Sequence, residues 1–219
     1  MANGSEGGGT RGGAPRPRRP VLVDPAGDWH AGGVDPALRA QVAHATAAAL
    51  VSGGRASSDP AVLARLLALV ETEGLDVVAA LWADSPADTL PGALWRLYVL
   101  REWVRRDPAV IADRYRQGVE AVPVEGVVAG VASPPGPVDV REAVDAVLSG
   151  VYTGDLATAL DRAAAFCRVL ATGAALDADH LDLVDPRGAD RQTRGASSLL
   201  RTADELTHAG TLWRSGRLE

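Results

Sequence analysis

The sequence predicts an all-α protein, an irregular multi-helix bundle around a central Trp-rich helix, preceded by a disordered N-terminal tail. Apolar residues recur at i, i+3, i+4 and i+7 in most segments after residue 36, and strand-like alternation is nearly absent after Val23. Asp-Pro pairs at 35–36, 59–60 and 107–108 each precede such a run. An Asp N-cap followed by Pro at the first helical position favours a helix start at each pair.

The composition is that of one ordinary domain. The chain has 219 residues, 47% apolar content and a net charge of −6, and all 22 of its basic residues are Arg. A lysine-free chain rich in Ala and Gly is typical of a GC-rich genome. Cys167 is the only cysteine, which excludes an internal disulfide and fits a reducing compartment. Because we find neither a signal-peptide pattern nor an apolar run long enough to span a bilayer, we expect a cytoplasmic protein without a membrane partner.

Residues 1–20 have the composition of a disordered basic tail. They are rich in Gly, Pro and Arg, and they carry no apolar anchor that could offset the entropy of ordering. The rest of the chain is acidic and repels phosphates. We therefore expect nucleic-acid binding only weakly, through this tail.

Residues 21–185 are assigned to a helical domain. It opens with a short extended segment at 21–23, and Trp29 is expected to pin this arm to the body. Helices are predicted at about 36–52, 60–73, 75–83, 91–106, 108–118 and 124–131. The Pro- and Gly-rich break at 133–137 is a candidate joint between subdomains.

Apolar spacing also predicts which faces of two helices point inward. In the first helix these residues are Leu38, Val42, Ala45 and Ala49. In the helix at 124–131 they are Val124, Val127, Val128 and Val131. Gly126 and Gly130 lie four residues apart in the latter helix, which indicates a close approach to a neighbouring helix.

A helical hairpin is predicted after the break. Its first arm is striped by Val140, Val144, Val147 and Val151, and its second by Leu156, Leu160, Ala163, Cys167 and Leu170. The loop-like composition of 186–195 predicts a linker, and 196–219 is predicted to be a C-terminal amphipathic helix. Because of its flexible lead-in, this helix either folds back or presents a partner surface formed by Leu199, Leu206 and Trp213.

Arg96 is the odd residue of the central helix, because it falls in the middle of an apolar face. A buried guanidinium keeps its charge and needs a carboxylate or several carbonyl groups. Asp84, Asp88 and Glu102 are the nearest candidate partners in the sequence. Three interpretations stay open: a structural ion pair, a side chain that reaches the surface, and an anion site.

An anion site at Arg96 would use the aromatic residues around it. Trp82, Trp95 and Tyr98 are the neighbouring rings, and with Arg96 they form the candidate lining of a small ligand pocket.

The sequence assigns no catalytic, cofactor-binding or metal-binding residue. The four histidines are scattered without the helical spacing of metal ligands. Acidic residues around His180, at 177, 179, 182 and 185, indicate a solvated turn or a weak cation site, and they lack the pattern of an EF-hand loop. We find no P-loop, no dinucleotide-binding glycine motif after a strand and no Gly-x-Ser-x-Gly elbow.

Three segments carry a resemblance to known sequences. They are LPGALWRLYVLREWVRRDP at 90–108, VVAGVASPPGP at 127–137 and SGVYTGDLATALDRAAAFCRV at 149–169. With them, the chain from about 20 to 218 resembles an uncharacterised family of short actinobacterial all-helical proteins. Some members of that family are labelled RNA polymerase β subunit-like. The resemblance implies a possible association with transcription and brings no activity, cofactor or site residue with it.

Two functional hypotheses follow. The first is a non-enzymatic helical interaction or regulatory protein, which binds a protein partner or a second copy of itself. The second is an enzyme or a binding protein for small anionic ligands, which uses the pocket around Arg96. Neither hypothesis requires a cofactor.

Overall fold

The structure is a computed structural model. It describes residues 35–56, 81–133, 135–153 and 155–218, and it leaves out the side chains of 53–56, 152 and 153. Within these ranges the chain forms helices and no strands, so the protein is all-α as predicted. The helices are α1 (Pro36–Ala56), α2 (Leu90–Arg106), α3 (Pro108–Ala121), α4 (Pro123–Ala129), α5 (Pro137–Thr153), α6 (Leu156–Leu181) and α7 (Pro186–Arg214).

Several predictions lie outside the described residues. They concern the tail at 1–20, the extended segment at 21–23, Trp29, the helix at 60–73 and most of the helix at 75–83.

Asp-Pro pairs begin three of the described helices. α1 begins at Pro36 and α3 at Pro108, both as predicted. The pair Asp185-Pro186 does the same for α7, because the Asp185 carboxylate accepts a hydrogen bond from the Gly188 amide at 3.0 Å. The predicted linker at 186–195 is therefore wrong. Those residues form the first turns of a single helix that continues to Arg214.

α6 and α7 form an antiparallel hairpin with the most extensive helix-to-helix contact in the described fold. Asp155 caps α6, accepting from the Ala157 amide at 3.1 Å. Eight of the buried residues of α6 are Ala, so neighbouring helices can approach its backbone closely. The predicted inner stripe of α6 is confirmed, since all five of its residues are buried.

Two glycines bring α3 and α6 into backbone contact. A Cβ atom added at Gly118 would lie 2.0 Å from the carbonyl oxygen of Val169. One added at Gly173 would lie 2.0 Å from the carbonyl oxygen of Arg114. The two helices therefore cross at glycines, where no side chain separates their backbones. Beside the crossing, the Arg114 Nε donates to the Asp177 carboxylate at 3.2 Å.

The Trp-rich helix α2 lies in the interior and contacts α1, α3, α5, α6 and α7. Ten of its residues are buried, including Leu94, Leu97 and Val104. Arg101, which the helical wheel places on the polar face, is also buried, with 7% of its surface exposed. Its Nε donates to Asp145 on α5 at 2.6 Å, and Arg105 pairs with the same carboxylate at 3.2 Å.

The buried face of α1 differs from the predicted one. Ala43, Ala47 and Val51 are buried, whereas Leu38 and Val42 are 52% and 39% exposed. Ala45 and Ala49, which were also predicted to point inward, are exposed, so the face of α1 that packs against α2 and α5 is rotated from the predicted one.

The inward face predicted for α4 is wrong for Val124, Val127 and Val128, which are exposed, whereas Val131 is partly buried against the core. Val124 and Val127 are 71% and 82% exposed, and the buried residues are Gly126 and Ala129. The predicted close approach is present, because a Cβ atom at Gly126 would lie 2.3 Å from a methyl group of Val119.

The break at 133–137 turns the chain between α4 and α5. The four valines predicted to stripe α5 are all buried, and α5 packs against α1, α2, α3 and α6. The described residues from Pro36 onward belong to one compact unit, and the break lies inside it.

The glycine crossing gives a first prediction. Gly173→Ala should lower the free energy of unfolding by about 3 kcal/mol, because a methyl group there meets a backbone carbonyl that cannot move without separating two helices. Gly195→Ala is the matched control, since nothing lies within 4 Å of a Cβ at that helical position. It should raise stability by up to about 1 kcal/mol. Urea denaturation of both variants measures this. Equal stability of the two would contradict the crossing.

Tyr115 gives a second prediction. Its ring packs on Phe166 with centroids 5.2 Å apart, and its hydroxyl has no hydrogen-bond partner among the described residues. Burial raises the pKa of this tyrosine to about 12. A raised pKa contributes stability that is complete below the unfolded value of 10.0 and is lost as the pH rises toward 12.

Tyr115→Phe should therefore be as stable as the wild type or more stable near neutral pH, since it removes an unsatisfied polar group. Between about pH 8 and about pH 11 the wild type should lose about 1 kcal/mol more than the variant. Urea titrations at both pH values measure the difference. Parallel losses in the two proteins would show that Tyr115 does not titrate on unfolding.

Candidate functional site

Arg96 forms an ion pair that joins α2 to α7. Its Nε donates to the Glu205 carboxylate at 2.6 Å, and its Nη1 donates to the Gly92 carbonyl at 2.9 Å. Both side chains of the pair are partly buried, 22% and 28% exposed. None of the three carboxylates suggested by the sequence forms an ion pair with Arg96. The structural ion pair is therefore the interpretation that the geometry supports, and the guanidinium is already engaged by a carboxylate.

Trp82 and Tyr98 belong to the core. They are 1% and 2% exposed, with ring centroids 5.9 Å apart, and the Trp82 Nε1 donates to the Thr46 hydroxyl on α1 at 3.1 Å. The prediction that these two rings share one pocket with Arg96 and Trp95 is wrong. The periodicity of α2 turns Tyr98 toward α1, away from the side that faces α7.

A groove of about 330 Å³ lies between α2 and α7, and we call it the α2/α7 groove. Trp95, Val99 and Trp103 line its α2 wall at i, i+4 and i+8. Both indoles are partly buried, and Val99 is 43% exposed. Leu199 and Thr202 line the α7 wall. The α2 wall is therefore mainly aromatic, the α7 wall combines apolar and polar residues, and the space between the two walls is open.

A smaller hollow of about 220 Å³ adjoins this groove and shares Trp103, Leu199 and Thr202 with it. Its other lining residues include Gln192, Gly195 and Ser198. Along α7 the lining therefore runs from Gln192 to Glu205, which at 1.5 Å per residue is about 20 Å. The groove and the adjoining hollow together are therefore elongated in the direction of α7.

Cys167 lines the groove but is fully buried. Burial raises the pKa of its thiol to about 12, so the sulfur is protonated and a poor nucleophile at neutral pH. This agrees with the sequence prediction of a buried thiol on the inner stripe of α6.

The partner surface predicted on the last helix is corrected by the fold. Leu206 is fully buried, and Leu199 and Trp213 are partly buried against the core of the same chain. The residues predicted to be a flexible lead-in are part of the continuous helix α7, and this helix packs along α6. Of the three residues, only Leu199 lines the groove.

The acidic segment around His180 is not a turn as predicted, because its residues up to Leu181 form the end of α6. Asp177 pairs with Arg114, and Asp185 caps α7. Within the described part of the chain, no three His, Cys, Asp or Glu side chains lie close enough together to hold a metal ion.

Sequence reasoning missed Trp103, Arg201 and Glu205 as groove residues. The spacing of Trp95, Val99 and Trp103 was a usable signal, because large apolar residues four apart share a helix face. Nothing local connects Glu205 to Arg96, since the two are 109 residues apart.

Comparison with known proteins gives no match to this chain, whether among family models, curated proteins or solved structures. The resemblance to the actinobacterial family stays a prediction. Among the described residues, no helix combines the length and the apolar character needed to cross a bilayer.

The Arg96–Glu205 pair gives a third prediction. Arg96→Met and Glu205→Gln should each lower stability, and the double variant should lose less than the sum of the two. For a partly buried pair we expect a coupling free energy of about 1 kcal/mol, which falls as salt is added. A double-mutant cycle by urea denaturation measures it. Additive losses would mean that the pair contributes nothing to stability.

Proposed function

We propose that this protein is a non-catalytic interaction protein, which binds a helical segment of a protein partner in the α2/α7 groove. The observation that carries the proposal is the row formed by Trp95, Val99 and Trp103. These residues lie on a helix that is otherwise largely buried, yet they remain accessible in a groove. Tryptophans at the centre of a docking surface contribute a large share of binding energy in protein interfaces.

The shape of the groove supports a peptide over a small molecule. Small-molecule pockets usually enclose most of their ligand, whereas this groove is open and, together with the adjoining hollow, extends about 20 Å along α7. Apolar positions on a partner helix recur at i, i+4 and i+7 and form a stripe along one face, and the groove offers it a comparable row of apolar residues at i, i+4 and i+8. The groove has a helix on each side, with α2 forming one wall and α7 the other.

The charged groups of the groove support binding over catalysis. Arg96 is engaged by Glu205, and Arg114 is engaged by Asp177. The Cys167 thiol is buried and protonated. The hypothesis of an anionic-ligand pocket depended on a free Arg96, and it loses that support.

The sequence resemblance extends the proposal to a partner in transcription. Binding of purified RNA polymerase to the isolated protein, measured with and without groove substitutions, tests this extension. If the groove substitutions leave the binding of RNA polymerase unchanged, the groove is not the site that binds it.

The fourth prediction compares two exposed valines. Val99→Asp places a carboxylate in the groove, whereas Val110→Asp places one on α3, where the native side chain is 42% exposed against 43% for Val99. Neither change should alter stability by more than about 0.5 kcal/mol. Affinity for a groove partner should fall at least about tenfold with Val99→Asp and stay unchanged with Val110→Asp, because only the first buries an unpaired charge on binding.

The measurement is co-purification from native cells, followed by titration of the mapped partner peptide with indole fluorescence as the readout. Burial of Trp95 and Trp103 should shift the emission to the blue. The proposal fails if the proteins recovered with Val99→Asp and with the wild type are the same, or if the mapped peptide leaves the indole emission unchanged.

A further inference from the structure

One border of the α2/α7 groove carries a row of arginines on α7. Its members are Arg187, Arg191, Arg194 and Arg201, and we call them the arginine row. All four are exposed. Arg201 itself lines the groove, and at 100° per residue the other three fall within about 80° of it around the helix. The row therefore lies beside the groove and the adjoining hollow at Arg194 and Arg201, and continues past them toward the start of α7 at Arg187 and Arg191.

The arginine row is weakly neutralised. Arg191 lies 3.5 Å from the Asp185 carboxylate, with both side chains largely exposed. Arg201 donates to the Ser198 hydroxyl at 3.2 Å and forms no ion pair with any described residue. Arg187 and Arg194 likewise form none within the described ranges, although Asp190 lies one turn from each. Several guanidinium groups thus keep donors free for an incoming anion.

Resting on the function proposed above, we infer that the groove binds an acidic amphipathic helix. Its apolar side chains lie between Trp95, Trp103 and Leu199, and a row of Asp or Glu on one flank pairs with the arginine row. The distance from Arg187 to Arg201 is 14 residues, or about 21 Å of helix. A partner helix of about four turns spans it.

The charge of the whole chain makes a protein helix a better occupant than nucleic acid. The net charge is −6, so the body repels a nucleic acid, which carries a phosphate at every nucleotide, more strongly than it repels a helix with acidic residues on one flank. A nucleic acid would also leave the apolar groove unfilled. An acidic amphipathic helix satisfies both features, because it carries the apolar and the anionic surfaces side by side.

Exposed ion pairs of this kind contribute little affinity individually. They act together on partner choice, on the rate of association and on its salt dependence. The apolar groove is therefore expected to supply affinity, and the arginine row to supply selectivity for acidic partners.

The experiment is a selection of displayed random 14-residue helical peptides on the full chain, with the Val99→Asp protein as the decoy. Enriched peptides should carry apolar residues at i, i+4 and i+7 and Asp or Glu on one flank. Synthetic versions are then titrated by fluorescence anisotropy at low and high salt. Arg194→Gln with Arg201→Gln should weaken binding about tenfold at low salt.

The control removes the same charge elsewhere. Arg141 and Arg217 are exposed and lie outside the groove, so Arg141→Gln with Arg217→Gln should change binding less than about twofold. A charge reversal gives the sharpest result. Arg194→Glu with Arg201→Glu should lose the acidic peptide and bind the version in which Lys replaces the flanking acids.

Each other outcome is decisive. Peptides that need Val99 but carry no acidic flank would overturn the inference and leave the proposed function standing. An absence of any peptide that needs Val99 would overturn both. A dimer of the chain that Val99→Asp abolishes, or a DNA duplex that binds through the arginine row more tightly than the peptides, would also overturn the inference.

Discussion

The close packing of α6 against its neighbours is the constraint on which the rest of the structure depends. Because most of its buried residues are small, α7 lies along it over many turns and α3 crosses it at backbone contact. Close contacts of this kind leave little freedom in the position of α7. That position brings Glu205 to Arg96 and sets the second wall of the groove opposite α2.

The groove exists because α7 does not fill the space beside α2. Its facing side carries Gly195, Ser198 and Thr202, which are too small to cover the indoles of Trp95 and Trp103. The Arg96–Glu205 pair connects the two helices at the end of this space. Arg96, which the sequence left open as an anion site, thus forms a structural link, and the accessible aromatic surface beside it is the better candidate for function.

The sequence predicted elements better than faces. The valine stripe of α5 and the stripe of α6 were correctly placed inward, because each combines regular spacing with several large residues. In α4 the valines at 124, 127 and 128 are exposed and Gly126 and Ala129 are buried, since a small residue permits a close approach that a larger one prevents. In α1 the buried face is rotated from the predicted one, because the neighbours of a helix and not its spacing alone decide which face is covered. The start of α7 was missed although Asp185-Pro186 repeats the device that marks α1 and α3. Residues 186–195 were predicted to be a linker because they are rich in Gly and Arg.

By itself, the sequence determined the all-α class, the starts of the helices with Asp-Pro caps and the burial of Cys167, because these follow from local hydrogen bonding and from helical periodicity. Only the tertiary structure decided the partner of Arg96, the burial of Arg101 and the separation of Trp82 and Tyr98 from the groove. Those features depend on which helices become neighbours. Contacts between residues as distant as Arg96 and Glu205 leave no periodic signal in either segment.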